Sequence, residues 1–322
     1  MKRADRFPAA PDRLQLGVGL DLSFGAARGW RYDVARGDRL ADETRAFLDR
    51  HASCFGHLFV SWQPRDRGAL RGEDYFAMFD DLYLPLGKRY PTRALHHTAL
   101  NLCALEPYDR TELLAFTNAL IDRYGFSWVN EDLGVWSLHG HSLPYPLPPY
   151  LTERGLRAAI TATRDVSRAL HAPLVIEFPG FSEGTSVVVG GRHAYDFFRE
   201  VADGADVPVA LDTGHLLSYQ WLRGRRGEAL LDELDRLPLD RCFEIHLSGC
   251  EIRDGQFLDL HHGVLLDEQL ELLERLLPRC SRLRAVTYED PVFSGDGRLI
   301  PEARDGFERL VSIVASKSGG AR

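Results

Sequence analysis

Short apolar runs alternate with longer amphipathic segments along most of the chain. Eight of the short runs are rich in β-branched and aromatic residues, and some, such as Leu174-Val175-Ile176, are apolar without interruption. Parallel strands that are buried on both faces have this composition. The predicted strands are residues 14–22, 57–62, 93–100, 127–131, 173–178, 208–212, 242–247 and 283–288.

Five of the longer segments carry apolar residues at helical spacing. They predict helices over residues 111–124, 152–170, 195–202, 227–234 and 266–277. This alternation, through a chain of 322 residues, favours the α/β class and a (β/α)8 TIM barrel. We expect a single domain over 1–322, with short flexible tails at about 1–12 and 316–322. We interpret the proline-rich residues 143–150 as a long loop on the active-site face.

Composition and charge exclude several classes of protein. Hydrophobic residues make up 44% and charged residues 27%, which is ordinary for a globular chain. The net charge of −8 disfavours nucleic acid or an anionic membrane as a partner. We find neither a run of about 18 apolar residues nor a secretory signal. The five scattered cysteines include no C-x-x-C pair, so we expect reduced thiols and a cytoplasmic location.

Ionisable side chains mark the predicted carboxyl ends of the third to the eighth strand. In TIM barrels the catalytic residues lie at this end. The candidate ligands are His96, Asp132, Glu177, Asp212, His215, His246, Asp259, His261 and Glu289. Oxygen and nitrogen donors without thiolates favour Fe, Mn, Zn or Mg. The candidates are too numerous for one tetrahedral site, so we expect two or three metal ions with bridging carboxylates.

The remaining histidines and the loop aromatics are weaker candidates. We expect surface or packing roles for His51, His57, His171 and His193. His97 and His262 should point away from the site, because adjacent side chains in an extended segment face opposite sides. Two histidines and three aromatic residues in or near the proline-rich loop either contact a substrate or pack the loop: His139, His141, Trp136, Tyr145 and Tyr150. Phosphate-binding, dinucleotide-binding and nucleophile-elbow motifs are absent.

Taken together, the strand-end motifs resemble those of the multinuclear non-heme iron-dependent oxidative enzymes, the family that includes the methanobactin-maturation oxidase. E-I-H-L-S-G at 244–249, for example, is close to the family's E-I-H-L-A-G. The matching segments are 96–102, 130–137, 176–179, 211–215, 244–249, 259–261 and 288–290. The resemblance covers roughly residues 14–295, in the family's order.

Three positions depart from the family pattern. Asp132 stands where the family has a histidine, whereas Phe178 and His215 stand where it has asparagines. A carboxylate can replace an imidazole on iron, and His215 can supply a nitrogen, so the departures are compatible with a rearranged site.

The resemblance implies a cytoplasmic, dioxygen-using iron oxidase that modifies a ribosomally synthesised precursor peptide, often at a Cys or a C-terminal residue. It also implies two or three iron ions in mixed Fe(II)/Fe(III) states and a separate peptide-recognition partner protein. The resemblance implies three ligand sets. One iron would be held by Glu177, Asp212, His246 and Glu289, which are also the implied catalytic residues. A second would be held by His96, Asp132 and a bridging Glu177, and a third by His215, Asp259 and His261.

Two alternatives stay open. The string Asp212-Thr213-Gly214-His215 also occurs in xylose-isomerase-like barrels, which suggests a divalent-metal-dependent sugar isomerase or epimerase. The departures at Asp132 and Phe178 suggest a degenerate, non-catalytic peptide-binding subunit.

Overall fold

The computed structural model describes residues 13–21, 32–33, 39–40, 42–62, 80, 89–181 and 187–319. Its strands, in chain order, are β1 (Gln15–Asp21), β2 (Tyr32–Asp33), β3 (Arg39–Leu40), β4 (His57–Trp62), β5 (Thr92–His97), β6 (Trp128–Asp132), β7 (Val135–Leu138), β8 (His141–Leu147), β9 (Leu174–Glu177), β10 (Val209–Asp212), β11 (Cys242–Leu247), β12 (Cys250–Arg253), β13 (Gln256–Asp259) and β14 (Ala285–Glu289). Eight of them close a parallel barrel in the order β1-β14-β11-β10-β9-β6-β5-β4. The predicted barrel is thereby confirmed.

Helices follow most of the barrel strands in the described residues. They are α1 (Asp42–Arg50), α2 (Thr111–Tyr124), α3 (Glu153–Ala169), α4 (Ala194–Ala205), α5 (Thr213–Leu222), α6 (Asp267–Leu276) and α7 (Pro301–Gly319). Helix α5 escaped prediction because every residue from Thr213 to Trp221 is buried, so it lacks the polar face that produces a periodic pattern. The helix predicted over 227–234 is wrong: the 3-10 turn Gly227–Leu231 ends before Glu233, which has a positive φ of 64°.

Two apolar layers position the site. One lies between the barrel and the helices. The other is a small cluster that contains Phe59 and Trp128. Three members of this cluster, Ala94, Val175 and Ala210, lie two residues before predicted ligands on β5, β9 and β10. Since side chains two residues apart on a strand face the same side, the ligands lie nearer the carboxyl end of the barrel, above an apolar floor.

Two expectations about irregular segments need correction. The prediction of a loop over 143–150 is wrong for residues 143–147, which lie in strand β8 and pair antiparallel with β7. The hairpin still forms part of the connection from β6 to α3. Pro144 and Pro146 lack a backbone N–H, which an edge strand in a two-stranded sheet tolerates. The expected C-terminal tail begins later than 316, since α7 extends to Gly319 with Leu310 and Val314 buried on its inner face.

Other expectations stand as follows. The tail at 1–12 lies outside the described residues, and the single domain over 1–322 stays a prediction. All five cysteines are free, and four of them are buried. Among the described residues, no helix combines the length and apolar character that crossing a membrane requires.

Candidate metal centre

All nine predicted ligands lie together at the carboxyl end of the barrel. Eight of them form three triads, and within each triad the donor atoms lie within 4.8 Å of one another. The first triad is His96, Asp132 and Glu177; the second is Glu177, Asp212 and His246; the third is His215, Asp259 and His261. Glu289 adjoins the second and the third triads. Glu177 belongs to both of the first two, so these form one continuous centre.

The first triad joins strands β5, β6 and β9. His96 Nε2 lies 3.3 Å from Asp132 Oδ2 and 3.6 Å from Glu177 Oε2. The other ring nitrogen, Nδ1, lies 3.1 Å from Ser61 Oγ on β4. This contact fixes the imidazole so that Nε2 faces the carboxylates. Asp132, at the family's histidine position, therefore places a carboxylate against His96.

The second triad joins β9, β10 and β11. His246 Nδ1 lies 3.0 Å from Glu177 Oε1 and 3.3 Å from Glu289 Oε1, at the end of β14. Asp212 ends β10 and caps α5, because its Oδ1 accepts a 2.8 Å hydrogen bond from His215 N. This N-cap leaves the second oxygen, Oδ2, without a hydrogen bond.

The third triad depends on an inserted hairpin. Strands β12 and β13 pair antiparallel and bring Asp259 over the barrel mouth, where Ser248 Oγ donates to its Oδ1 at 3.0 Å. Asp259 Oδ2 lies 3.1 Å from His215 Nε2 and 3.5 Å from His261 Nε2. His215 Nδ1 donates to the backbone carbonyl of Phe178 at 2.7 Å, so His215 Nε2 is the nitrogen left for a metal.

A glycine fixes the turn that carries His261. Gly249 has a φ of +127°, and a Cβ there would lie 2.5 Å from Gly263 N. The Gly249 carbonyl accepts hydrogen bonds from the backbone N–H groups of Leu260 and His261. The close approach therefore requires glycine at 249.

The donor atoms fit metal ligation. Six buried atoms make no hydrogen bond in the described residues: His96 Nε2, Asp132 Oδ1, Glu177 Oε2, Asp212 Oδ2, His246 Nδ1 and Glu289 Oε1. A buried polar atom left without a partner costs about 1–3 kcal/mol. Ion pairs such as His246 Nδ1 with Glu177 Oε1 at 3.0 Å reduce this cost, and bound cations would satisfy all six atoms. Ligands at about 2.0–2.2 Å from one ion lie about 3 Å apart, which is close to the separations observed.

Burial and neighbouring charges move the pKa values of these groups apart. Burial lowers the pKa of His96, but the Asp132 and Glu177 carboxylates outweigh it and raise that pKa to about 9. Burial raises the pKa of Asp212 to about 6 and that of Glu289 to about 8. Burial also acts to raise the pKa of Glu177, but His246 and His96 lower it to about 2. A bound cation would replace these imidazole protons and would offset the charge of the neighbouring carboxylates in their place.

Comparison with known proteins identifies the family. The model of the family described as RiPP precursor modification enzyme MbnB/TglH/ChrH, where RiPP denotes a ribosomally synthesised and post-translationally modified peptide, matches residues 80–302. The match covers more than half of the chain and includes all nine candidate ligands. The chain belongs to this family. The resemblance drawn from the strand-end motifs is therefore confirmed.

Curated relatives of this family member are UPF0276 proteins. One from Haemophilus influenzae is 29% identical over 167 residues, 50% of this chain and 50% of the relative. One from Acaryochloris marina is 28% identical over 177 residues, 54% of this chain and 60% of the relative. The chain thus matches about half to three fifths of the length of these relatives.

Solved structures support the fold. An L-ribulose 3-epimerase superposes with a TM-score of 0.55 at 14% identity, covering 96% of this chain and 99% of that chain. A xylose isomerase domain protein from Alicyclobacillus acidocaldarius gives 0.54 at 17% identity, covering 95% and 100%. At these identities the likeness shows the fold alone, a xylose-isomerase-like TIM barrel.

His57, for which we expect a surface or packing role, packs inside the barrel of this family member, where its ring stacks on that of Trp128 with centroids 5.0 Å apart. His57 is fully buried inside the barrel, and its Nε2 lies 3.1 Å from Glu244 Oε1. Glu244 is the functional candidate that the sequence reasoning missed. The signal was available, because Glu244 lies two residues before His246 on β11 and so faces the same interior. The placement of His57 needed the fold, because it depends on a contact across the barrel.

The other weaker candidates fall outside the centre. His97 Nε2 pairs with Thr117 Oγ1 at 3.1 Å, on the outer side of β5. His139 and His141 are exposed on the β7–β8 hairpin. Among the aromatics, Trp136 is buried and Tyr150 packs against the core, whereas Tyr145 is 60% exposed.

Proposed function

We propose that this family member is a multinuclear non-heme iron oxidase that uses dioxygen to modify a ribosomally synthesised precursor peptide. The observation that supports this best is the set of three adjoining triads, two of which share Glu177, in a member of a RiPP precursor modification family. Within the proposal, the nine predicted ligands keep the three iron sets that the resemblance implies, and Glu289 completes the Glu177–Asp212–His246 set.

The charges of the centre support more than one cation. Five carboxylates line it: Asp132, Glu177, Asp212, Asp259 and Glu289. If all are ionised, they carry five negative charges, which a single divalent ion would not offset. The four imidazoles add nitrogen donors without adding negative charge. Two or three iron ions would balance the set.

Bound iron would supply a Lewis acid for a peptide thiolate or C-terminal group and a redox centre for dioxygen. The protein's own residues would hold the ions: Glu177 would contribute to two of the three sets, and Ser61 and the Phe178 carbonyl fix the His96 and His215 rings. The apolar floor around Phe59 would exclude water from below. The chain would receive its peptide at the barrel mouth, with the help of a separate recognition partner, in the cytoplasm.

Metal analysis of anaerobically purified protein tests the proposal. Plasma mass spectrometry should find two or more irons per chain, and Glu177→Ala and His246→Ala should each abolish iron binding at the ligand sets to which the residue belongs, together with dioxygen-dependent turnover. Full activity in either variant would refute the assignment. Negligible metal after iron reconstitution would instead favour the non-catalytic peptide-binding subunit.

One alternative enzyme class has a specific observation in its favour. The set Glu177, Asp212, His246 and Glu289 could hold a single divalent ion, in a fold shared with sugar epimerases. Stoichiometric manganese or zinc without iron, together with turnover of a sugar, would favour a sugar isomerase or epimerase over the oxidase.

A further inference from the structure

A buried carboxylate lies directly beneath the proposed metal centre. Glu244, on β11, is fully buried in the barrel interior. Four hydrogen bonds converge on its two oxygens. They come from His57 Nε2 at 3.1 Å, Trp128 Nε1 at 2.7 Å, Asn130 Nδ2 at 2.9 Å and Thr287 Oγ1 at 2.5 Å.

The chemistry of these neighbours makes Glu244 an anion. The indole N–H of Trp128 and the amide N–H of Asn130 only donate, and both point at Oε2. Thr287 Oγ1 donates to Oε1, so hydrogen-bond donors face both oxygens, an arrangement that suits a carboxylate.

The Glu244 carboxylate faces the second ring nitrogen, Nε2, of the proposed metal ligand His246. His246 Nδ1 points to Glu177 and Glu289, while its Nε2 lies 3.3 Å from Asn130 Nδ2 and 3.5 Å from Glu244 Oε1. Asn130 presents a donor to Nε2, because turning its amide over would place its oxygen against the Glu244 carboxylate. In the metal-free structure, Nε2 thus faces an N–H donor while Nδ1 faces the Glu177 carboxylate. A metal on Nδ1 would displace the ring proton to Nε2, and Glu244 Oε1, at 3.5 Å, is then the acceptor that faces it.

An imidazole that binds a metal through Nδ1 must carry its proton on Nε2. We propose that Glu244 is a positioning residue that holds His246 in this form, with the Nδ1 lone pair turned towards the metal. The inference rests on the metal centre proposed above and adds to it a residue that touches no metal. Carboxylates behind metal-binding histidines raise the donor strength of the ring, and their loss weakens metal binding by roughly 10–100-fold.

A merely structural role for Glu244 makes a different prediction. In that case the carboxylate only satisfies the donors around it, and its replacement would lower thermal stability without changing the protonation of His246. The chain offers a matched control. Glu131 is also fully buried, and its Oε2 lies 3.5 Å from His97 Nδ1, but this pair is on the outer side of the barrel.

The experiment uses zinc as a redox-silent probe on the full chain. Affinity is measured by chelator competition, and the ring protons by long-range proton–nitrogen NMR of histidine-labelled protein. In the zinc-loaded wild type we expect His246 to bind zinc through Nδ1 and to show a slowly exchanging Nε2–H. In Glu244→Gln, one of the two carboxylate oxygens is replaced by an amide NH2 group, which cannot accept a hydrogen bond from the groups that face it. This variant should bind zinc roughly 10–100-fold more weakly and should lose the His246 Nε2–H signal. Glu131→Gln should change neither the zinc affinity nor that signal.

The outcomes separate the two proposals. If the wild type carries its His246 proton on Nδ1, or if Glu244→Gln keeps both the zinc affinity and the Nε2–H signal, the positioning role is refuted while the metal centre stands. The wild-type spectrum decides the question even if Glu244→Gln fails to fold. If the wild type binds no zinc and no iron, the metal centre itself is refuted, and the positioning role falls with it.

Discussion

Replacing Glu177 with glutamine should remove more metal than replacing Asp259 with asparagine. Glu177 lies between two triads, with Oε1 3.0 Å from His246 Nδ1 and Oε2 3.6 Å from His96 Nε2. Asp259 belongs to the third triad alone, 3.1 Å from His215 Nε2. Glu177 is buried, and Asp259 is half-buried with its side chain only 8% exposed, so the two substitutions differ mainly in the number of ions that each side chain would serve.

The expected magnitude follows from this count. An amide lacks the negative charge of a carboxylate and is a poor substitute on a hard cation. Glu177→Gln should therefore weaken the binding of two ions, and Asp259→Asn should weaken the binding of one. If the wild type holds three irons, about one should remain in Glu177→Gln and about two in Asp259→Asn.

The assay is metal content by plasma mass spectrometry after anaerobic reconstitution and desalting, with circular dichroism to verify folding. Glu131→Gln is the matched control, because it replaces a buried glutamate outside the centre and should keep the wild-type content. Equal losses in Glu177→Gln and Asp259→Asn would refute the idea that Glu177 is shared. A larger loss in Asp259→Asn would mean that the third triad is the principal site.

Three further predictions concern the surroundings and the protonation of the centre. Ser61→Ala removes the 3.1 Å contact to His96 Nδ1. It should lower the zinc affinity measured by chelator competition by up to about 10-fold. An unchanged affinity would show that Ser61 does not orient the His96 ring. Because the pKa of His96 is raised to about 9, its imidazole is protonated at neutral pH and a metal must displace that proton, so affinity should rise with pH towards 9. Calorimetry in buffers of different ionisation enthalpy should detect the released proton, and identical heats would count against this account. Gly17→Ala would put a Cβ 2.6 Å from His57 Cδ2 and should destabilise the fold by about 1–3 kcal/mol in urea, whereas Gly191→Ala, with open space around it, should be tolerated in the same titration.

The sequence by itself determined the barrel and the ends of its strands. Uninterrupted apolar runs such as Leu174-Val175-Ile176 indicate strands buried on both faces, and this signal is local. Parallel topology then brings every carboxyl end to one rim, which is why nine candidate ligands distributed over 96–289 could be predicted to lie at one site. Amphipathic helices such as Thr111–Tyr124 were also predictable, since one polar face gives a clear period.

Only the tertiary structure decided the contacts that cross the barrel. His57 and Glu244 are 187 residues apart, and nothing local marks them as a pair. Helix α5 is buried on every side, so its sequence carries no helical period. The choice of ring nitrogen at His96, His215 and His246 depends on partners from other strands and loops. These features follow from side-chain packing at long range, which a residue pattern along the chain does not encode.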